Sequence, residues 1–155
     1  MQKTLNKKGF TLVEVLLVVV IIAILAAIVI VAINPTRQIQ QANNAQRRVD
    51  IKTILDAVVE YSVDSRGALP TGIPATENSE TAAVIGSDTT NGQIDICATL
   101  VPLYVPALPY DPTATGAQYT SCTDYDTGYT IVSTNGRVTV AAPDAELSET
   151  ITATK

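Results

Sequence analysis

The amino-acid sequence predicts an α+β fold, in which a long N-terminal α-helix packs against a small C-terminal antiparallel β-sheet. Residues 15–33 are a run of 19 without one charged or classical polar side chain, and residues 34–67 repeat apolar residues with helical spacing. Residues 68–155 are polar, with a strong hairpin signal near their end. We therefore divide the chain into a leader over residues 1–9, a transmembrane helix over 10–33, an amphipathic helix half over 34–67 and a globular head over 68–155.

The apolar run is long enough to cross a membrane as a single helix. A spanning helix needs about 20 apolar residues, whereas the apolar core of a cleavable secretory signal peptide has about 7–15 and is followed by small residues. Ala23, Ala26 and Ala27 imitate such small residues, but six apolar residues still follow them. Lysines precede the run and almost no positive charge lies shortly after it, which favours a cytoplasmic N-terminus and an exported head. We expect a single-pass precursor in the inner or cytoplasmic membrane.

The helical pattern is interrupted at Asn34-Pro35 and then resumes. Proline lacks the amide donor and clashes with the preceding turn, so we expect a kink or local break there. Gly67 and Pro70 should end the second helical part. Between these points, apolar residues recur mostly at steps of three and four and predict one stripe for the head to cover: Ile39, Ala42, Ala45, Val49, Ile54, Val58 and Tyr61.

The head contains one clear β-hairpin signal. Tyr129–Ser133 and Arg137–Ala141 are rich in β-branched residues and flank Asn135-Gly136, the strongest short turn signal for a hairpin. Gln118–Thr123 is a candidate third strand. The last twelve residues are expected either to add an edge strand or to fray.

The rest of the head is less regular. Residues 71–93 have many small polar residues and no sustained period, which predicts a surface loop. Residues 94–108 form a second apolar patch, in which Pro102 and Pro106 limit any helix to a short one. The sequence Leu108-Pro109-Tyr110-Asp111-Pro112 follows as a turn-rich exit.

Composition narrows the classes of function. The chain has a formal net charge of −5 at pH 7, no His and no Trp. An acidic surface argues against broad electrostatic binding of nucleic acid, and the missing His removes the commonest general base and metal ligand. Arg47, Arg48 and Lys52 are expected on a solvated helix face or in salt bridges between subunits, with a DNA-contacting patch as the less favoured interpretation. We expect no enzyme activity, no cofactor and no metal centre.

Two smaller signals lie in the head. If the head is exported, a disulfide between Cys97 and Cys122 is expected, with two free, partly buried thiols as the alternative. Asp124 and Asp126, in the sequence Asp-Tyr-Asp-Thr-Gly, are a weak calcium candidate, because no acidic residue follows at the spacing that an EF-hand needs. A solvated turn beside the hairpin is the favoured interpretation.

One carboxylate stands near the edge of the apolar run. Glu14 should be costly there, because insertion scales assign an acidic side chain about 2.5–3.5 kcal/mol at the centre of a spanning helix and less near its end. A cut after Gly9 would free the α-amine of Phe10, four residues before Glu14, as a positive partner. The cut would also leave seven basic and fifteen acidic residues, a net charge of −8. Glu14 is therefore a candidate functional residue.

The sequence Lys8-Gly9-Phe10-Thr11-Leu12-Val13-Glu14, with the apolar run behind it, resembles the class III signal peptide of type IV pilins and type II secretion pseudopilins. The resemblance implies a type IV pilin-like fold and a precursor that a membrane prepilin peptidase cuts after Gly9 on the cytoplasmic face. It also implies N-methylation of Phe10, and it makes Glu14 the assembly residue that pairs with the N-terminal amine of a neighbouring subunit. An assembly machinery with an ATPase motor would then extract the subunits from the membrane into a homopolymer.

Three functions follow as alternatives. The favoured one is a structural pilin that polymerises through its N-terminal helix into a type IV pilus at the cell surface. The second is the major pseudopilin of a type II secretion system, whose filament is periplasmic. The third is a single-pass membrane protein with an exported binding domain that does not polymerise, which accounts for the span but for neither Gly9-Phe10 nor Glu14.

Overall fold

The computed structural model describes residues 9–76 and 82–155 and has the predicted α+β fold. It contains two compact units, of which the first ends at Gln38 and the second comprises Ile39–Lys155. Parts of the expected leader and of the expected surface loop lie outside the described ranges: residues 1–8 and 77–81.

The first unit contains helix α1 (Leu12–Ile33), which is long and apolar enough to cross a membrane. None of its 22 residues is buried. The helix begins after Thr11, whose side-chain oxygen accepts the backbone N–H of Glu14 at 3.2 Å. A helix that is apolar on every side has no preferred face to bury, so it needs lipid or other helices around it.

Helix α1 is followed by Asn34, which adopts a left-handed conformation with φ 47° and ψ 74°. Helix α2 (Pro35–Asp64) begins at the next residue, with proline in its first position, where the missing amide N–H is not needed. The Oδ1 atom of Asn34 accepts the N–H of Arg37 at 3.3 Å and caps the new helix. The local break that the sequence predicts at Asn34-Pro35 is confirmed.

In the described part of the second unit, six strands form one sheet: β1 (Ala75–Thr76), β2 (Ala83–Gly86), β3 (Gln118–Ser121), β4 (Asp124–Thr134), β5 (Arg137–Ala142) and β6 (Ile151–Thr154). Strand β4 is central: β2, β3 and β5 pair with it antiparallel and β1 parallel, while β6 pairs with β5. Asn135 and Gly136, with φ 52° and 78°, form the turn between β4 and β5, as a type I′ hairpin requires. The predicted hairpin and third strand are confirmed, and the chain ends in an edge strand rather than in a frayed tail.

The surface loop predicted over residues 71–93 is wrong in two places, because β1 and β2 belong to the sheet. Ile85 of β2 is fully buried, and its neighbour Gly86 pairs with Asp126 of β4. The strands are too short to show an alternating pattern. Their partner strand is distant in sequence, since Ala75 of β1 pairs with Ser133 and Gly86 of β2 pairs with Asp126. No local signal in the sequence therefore indicates them.

The hydrophobic core of the second unit joins one side of α2 to the sheet and to the short helix α3 (Cys97–Leu100). Ile54 and Val58 of the predicted stripe are fully buried. The N-terminal half of the predicted stripe is wrong, because Ile39 and Val49 are 62% and 60% exposed. Three polar residues of α2 are buried in their place: Asn44, Arg47 and Asp50.

The predicted ends of two helices agree with the structure. Helix α2 ends at Asp64, and Gly67 follows with φ 93°, its N–H bonded to the carbonyl of Ser62 at 2.7 Å. This left-handed glycine after a helix is a common C-terminal motif. Helix α3 has only four residues and ends before Pro102, as the prolines of this segment predict.

Candidate functional site

The N-terminal site consists of the residues immediately before α1 and of its first turn. Gly9 and Phe10 are not helical, and the Phe10 side chain is 83% exposed. A Cβ atom added at Gly9 would meet no atom of residues 11–76 or 82–155 within 4 Å. The backbone on both sides of the Gly9–Phe10 bond is therefore open to approach.

Glu14 lies in the first turn of α1, where Thr11 fixes its backbone. The sequence Thr-x-x-Glu at a helix start is the pattern of a capping box, and one half of it is present, since Thr11 caps the N–H of Glu14. Phe10 and Glu14 line the same apolar depression of about 300 Å³, together with Val15, Val18 and Val19. Within residues 9–76 and 82–155, the Glu14 carboxylate forms no ion pair.

A buried ion cluster joins α2 to the loops of the head. The guanidinium of Arg47 donates to both carboxylate oxygens of Asp111, from Nε at 2.7 Å and from Nη2 at 3.0 Å. The same guanidinium donates to Glu146 at 3.0 Å and to the hydroxyl of Thr113. The side chains of Arg47 and Asp111 are both fully buried. Asn44 extends the cluster by bonding the backbone N–H and carbonyl of Glu146.

The protonation equilibria of this cluster follow from its hydrogen bonds. Burial by itself would raise the pKa of Asp111, but hydrogen bonds from Arg47 and from the N–H groups of Thr113 and Ala114 outweigh it, so the pKa is lowered. The hydrogen bond to Asp111 correspondingly raises the pKa of Arg47. Both groups are therefore charged at neutral pH, and the ion pair attaches residues 111–114 to α2.

The position of Arg47 corrects the sequence interpretation, which placed it on a solvated face or in a salt bridge between subunits. It is buried within its own chain, and Asp111, interpreted only as part of a turn-rich exit, is its partner. Asn44, Arg47 and Asp50 do follow one another at helical steps of three, and they lead into the buried residues Ile51 and Ile54. That spacing is the signal that sequence reasoning missed.

The other two basic residues of that group are on the surface. Arg48 forms an ion pair with Glu149, and Lys52 pairs with Asp56 at 2.9 Å. Exposed pairs of this kind contribute about 0–1 kcal/mol each. They agree with a solvated helix face.

A second buried carboxylate on α2 has a different environment. Asp50 accepts hydrogen bonds from the hydroxyl of Tyr129 at 2.8 Å and from the side-chain amide of Gln46 at 2.7 Å. Burial raises the pKa of Tyr129, and the hydrogen bond to Asp50 raises it further. Tyr129 is therefore a neutral donor at all physiological pH values.

The two cysteines are bonded in the structure. Cys97, in α3, and Cys122, in the turn between β3 and β4, form a disulfide with their Cα atoms 5.2 Å apart. Cys97 is fully buried in the core. The disulfide connects α3 to the turn between β3 and β4.

Asp124 and Asp126 lie at the start of β4, so the turn interpreted at these residues is wrong. Asp126 accepts hydrogen bonds from the Gln93 side chain at 2.6 Å and from the N–H of Gly128 at 2.8 Å, and Asp124 accepts one from Gln118 at 3.2 Å. Across the part of the chain that the structure describes, no three His, Cys, Asp or Glu residues are grouped as metal ligands.

Comparison with known proteins gives one match, and it coincides with the N-terminal site. A family profile described as the prokaryotic N-terminal methylation motif matches residues 4–30. No curated protein and no solved structure matches the chain. The matched segment contains Gly9, Phe10, Glu14 and most of α1 and ends before α2.

Proposed function

Because the chain carries the class III signal peptide of type IV pilins and pseudopilins, we propose that it is a structural subunit that polymerises through α1 into a type IV pilus at the cell surface. Its precursor is anchored in the membrane by the same helix. The single observation that carries the proposal is a carboxylate, Glu14, in the first turn of a helix that is otherwise apolar on every side and buries none of its residues.

Processing is proposed at the Gly9–Phe10 bond. A prepilin peptidase cuts after Gly9, which creates the α-amine of Phe10, and this amine is then methylated. In its protonated form the amine is a positive charge near Glu14. The geometry supports this, because Gly9 and Phe10 are outside the helix and exposed, while the cap at Thr11 fixes where the helix begins.

Assembly is proposed to be driven by the area that α1 buries against other copies, at about 25 cal/mol per Å² of apolar surface. Apolar contact alone does not fix the register of identical helices, since many alignments bury similar areas. The Glu14 carboxylate and the methylated amine of Phe10 on a neighbouring copy supply the register, because any other alignment leaves two charges unmatched in an apolar environment. Extraction from the bilayer requires work, and we assign it to an ATPase motor of the assembly machinery.

The mass of the N-terminus in protein purified from its native membrane tests the proposal. We expect a chain that begins at Phe10 and carries one added methyl group. A chain that begins at Met1, or one cut near Ala27, would instead support a membrane protein that does not polymerise.

Negative-stain microscopy of cells then separates the two filament functions. Long thin surface fibres that contain this chain support the pilus. Processed and methylated chain without surface fibres supports the pseudopilin of a secretion system.

A further inference from the structure

A groove of about 660 Å³ lies within the second unit, between α2 and the proline-rich segment 105–112. The α2 wall contains three residues at successive helical turns, Gln46, Asp50 and Thr53. Residues 105–110 form most of the other wall, where Tyr110 is 48% exposed. The N-terminal processing and assembly proposed above use none of these residues.

The groove is unusual because it contains a buried acid without a cation. Asp50 is 3% exposed, and its two bonded partners, Gln46 and Tyr129, are neutral. Over the described ranges it forms no ion pair. Buried carboxylates are normally paired with a positive charge, because desolvation makes an unpaired one costly.

The nearest cation on the helix cannot fill that role. The guanidinium of Arg47 is already bonded to Asp111 and Glu146. Asp50, Asp111 and Glu146 together have three negative charges, and Arg47 has one positive charge, so this group has a formal net charge of −2. The excess negative charge lies beside an apolar groove, so the groove attracts a cation with an apolar stem.

The walls of the groove indicate which cation fits. Tyrosine rings attract a guanidinium or ammonium through their faces, and the prolines Pro106 and Pro109 offer apolar surface to an aliphatic stem. An arginine side chain combines a long stem with a planar, weakly hydrated head that tolerates partial burial and bonds a carboxylate well. The shape and charge of the groove therefore match an arginine.

The chain itself offers such arginines on its surface. Arg37, Arg66 and Arg137 are exposed and form no ion pair with any acidic residue in the described parts of the chain. Arg48, Lys52 and Lys155, in contrast, each form one. Resting on the proposed function, we propose that the groove receives one of these three arginines from a second copy of the chain, with the guanidinium bonded to Asp50. The groove and the arginine are on different surfaces of the chain, so the contact is heterologous. A heterologous contact can be repeated from copy to copy and builds an open filament unless the rotation between copies closes a ring.

The experiment places a photo-crosslinking amino acid at Thr53, on the exposed rim of the groove, in the full-length chain in its native membrane. We expect a covalent dimer whose crosslinked peptide contains Arg37, Arg66 or Arg137. Asp50→Asn keeps the size of the side chain, removes the charge and can still accept one of the two hydrogen bonds from Gln46 and Tyr129. We expect it to lower the dimer yield at least about tenfold, because an uncompensated charge is then left on one side of the contact. Asp56→Asn, on the exposed side of the same helix, is the matched control and should leave the yield unchanged.

The arginine variants make the test independent of the folding of Asp50→Asn. Arg37→Gln, Arg66→Gln and Arg137→Gln change exposed side chains, and one of the three should reproduce the loss of dimer. A dimer yield that survives all three variants, or that Asp50→Asn leaves unchanged, overturns the proposal.

A second crosslinker at Val18, on α1, separates this proposal from polymerisation through α1. Dimers from Val18 but none from Thr53 overturn the groove contact and leave the proposed function intact. Dimers from Thr53 that depend on Asp50, with none from Val18, support the groove contact and contradict assembly through α1. Dimers from neither position contradict both.

Discussion

Glu14, which we propose sets the register of assembly, lies next to the residue that caps its own helix, Thr11. The Thr11 hydroxyl fixes the start of α1, so the carboxylate of Glu14 has a defined height on the helix. A charge at a defined height in an apolar environment distinguishes one alignment of neighbouring helices from all others. The capping residue Thr11 and the proposed assembly residue Glu14 therefore belong to the same helical turn.

Glu14→Gln should block or strongly weaken filament formation, because it keeps the shape of the side chain and removes the charge that pairs with the amine. Breaking a buried pair costs about 3–5 kcal/mol, so we expect filament yield, measured by shearing and sedimentation, to fall at least about tenfold. Membrane insertion and leader cleavage should persist. Glu60→Gln, an exposed acid of α2, serves as the control, and normal filament yield from Glu14→Gln would remove the register argument.

Arg47→Ala should destabilise the second unit, because it leaves the buried carboxylate of Asp111 without its cation. Losing one partner of a buried pair costs about 3–5 kcal/mol, whereas Arg48→Ala removes only an exposed pair and should cost less than about 1 kcal/mol. All six tyrosines lie beyond residue 60, so urea unfolding followed by near-ultraviolet circular dichroism reports this unit alone. Equal losses for the two variants would contradict a structural role for the buried pair.

At the scale of elements, the sequence predicts those parts whose signals are local. The apolar run, Asn34-Pro35 and Asn135-Gly136 each fix a structure through their own residues, and each appears where it is expected. The partners of Arg47 are 64 and 99 residues away along the chain, at Asp111 and Glu146. The helical spacing of Asn44, Arg47 and Asp50 indicates that they share a face with Ile51 and Ile54, but it does not identify the distant partners that neutralise a buried arginine.

The candidate site follows the same rule. Gly9, Phe10 and Glu14 lie within six consecutive residues, so a motif of seven residues identifies them without knowledge of the fold. The groove beside Asp50 is formed by segments about sixty residues apart in sequence. From the sequence alone, Asp50 is indistinguishable from the exposed acidic residues of α2. Only the fold shows that this acid is buried and that its neighbours are tyrosines and prolines.

The Cys97–Cys122 disulfide should stabilise the elements that it joins, α3 and the β3–β4 turn. The two residues are 25 apart in sequence, and closing a loop of this length is worth about 3–4 kcal/mol in the chain-entropy model. We expect the free energy of unfolding of the second unit to fall by about this amount in the Cys97→Ser and Cys122→Ser double variant. The Ser121→Ala variant, beside Cys122, is the control, and an unchanged unfolding midpoint in the double variant would contradict the prediction.

At the scale of the whole molecule, the two units differ in exposed apolar surface, in hydrophobic core and in charge. The first unit exposes an apolar helix surface, whose contact with water is unfavourable. The second unit has its own hydrophobic core, whose buried residues lie between Ile51 and Ile151. The acidic residues are concentrated in the second unit, where fourteen of the fifteen occur against six basic residues, a net charge of −8. In the fibre that we propose, this net charge on the heads would favour solubility of the surface while the apolar helices associate.

The fragment Ile39–Lys155 should therefore fold without α1, because every residue of the hydrophobic core lies within it. We expect a soluble protein that unfolds in one cooperative transition in urea, with the same near-ultraviolet circular dichroism as the full-length chain in detergent. The fragment should not form filaments, since it lacks the helix and the carboxylate that we propose drive assembly and set its register. A fragment that begins at Ile51 is the informative comparison: it keeps the apolar core but loses Asn44, Arg47 and Asp50, and it should be less stable by at least the about 3–5 kcal/mol of the lost buried pair. Equal stability of the two fragments would show that the polar half of α2 serves contacts between copies and not the fold of the head.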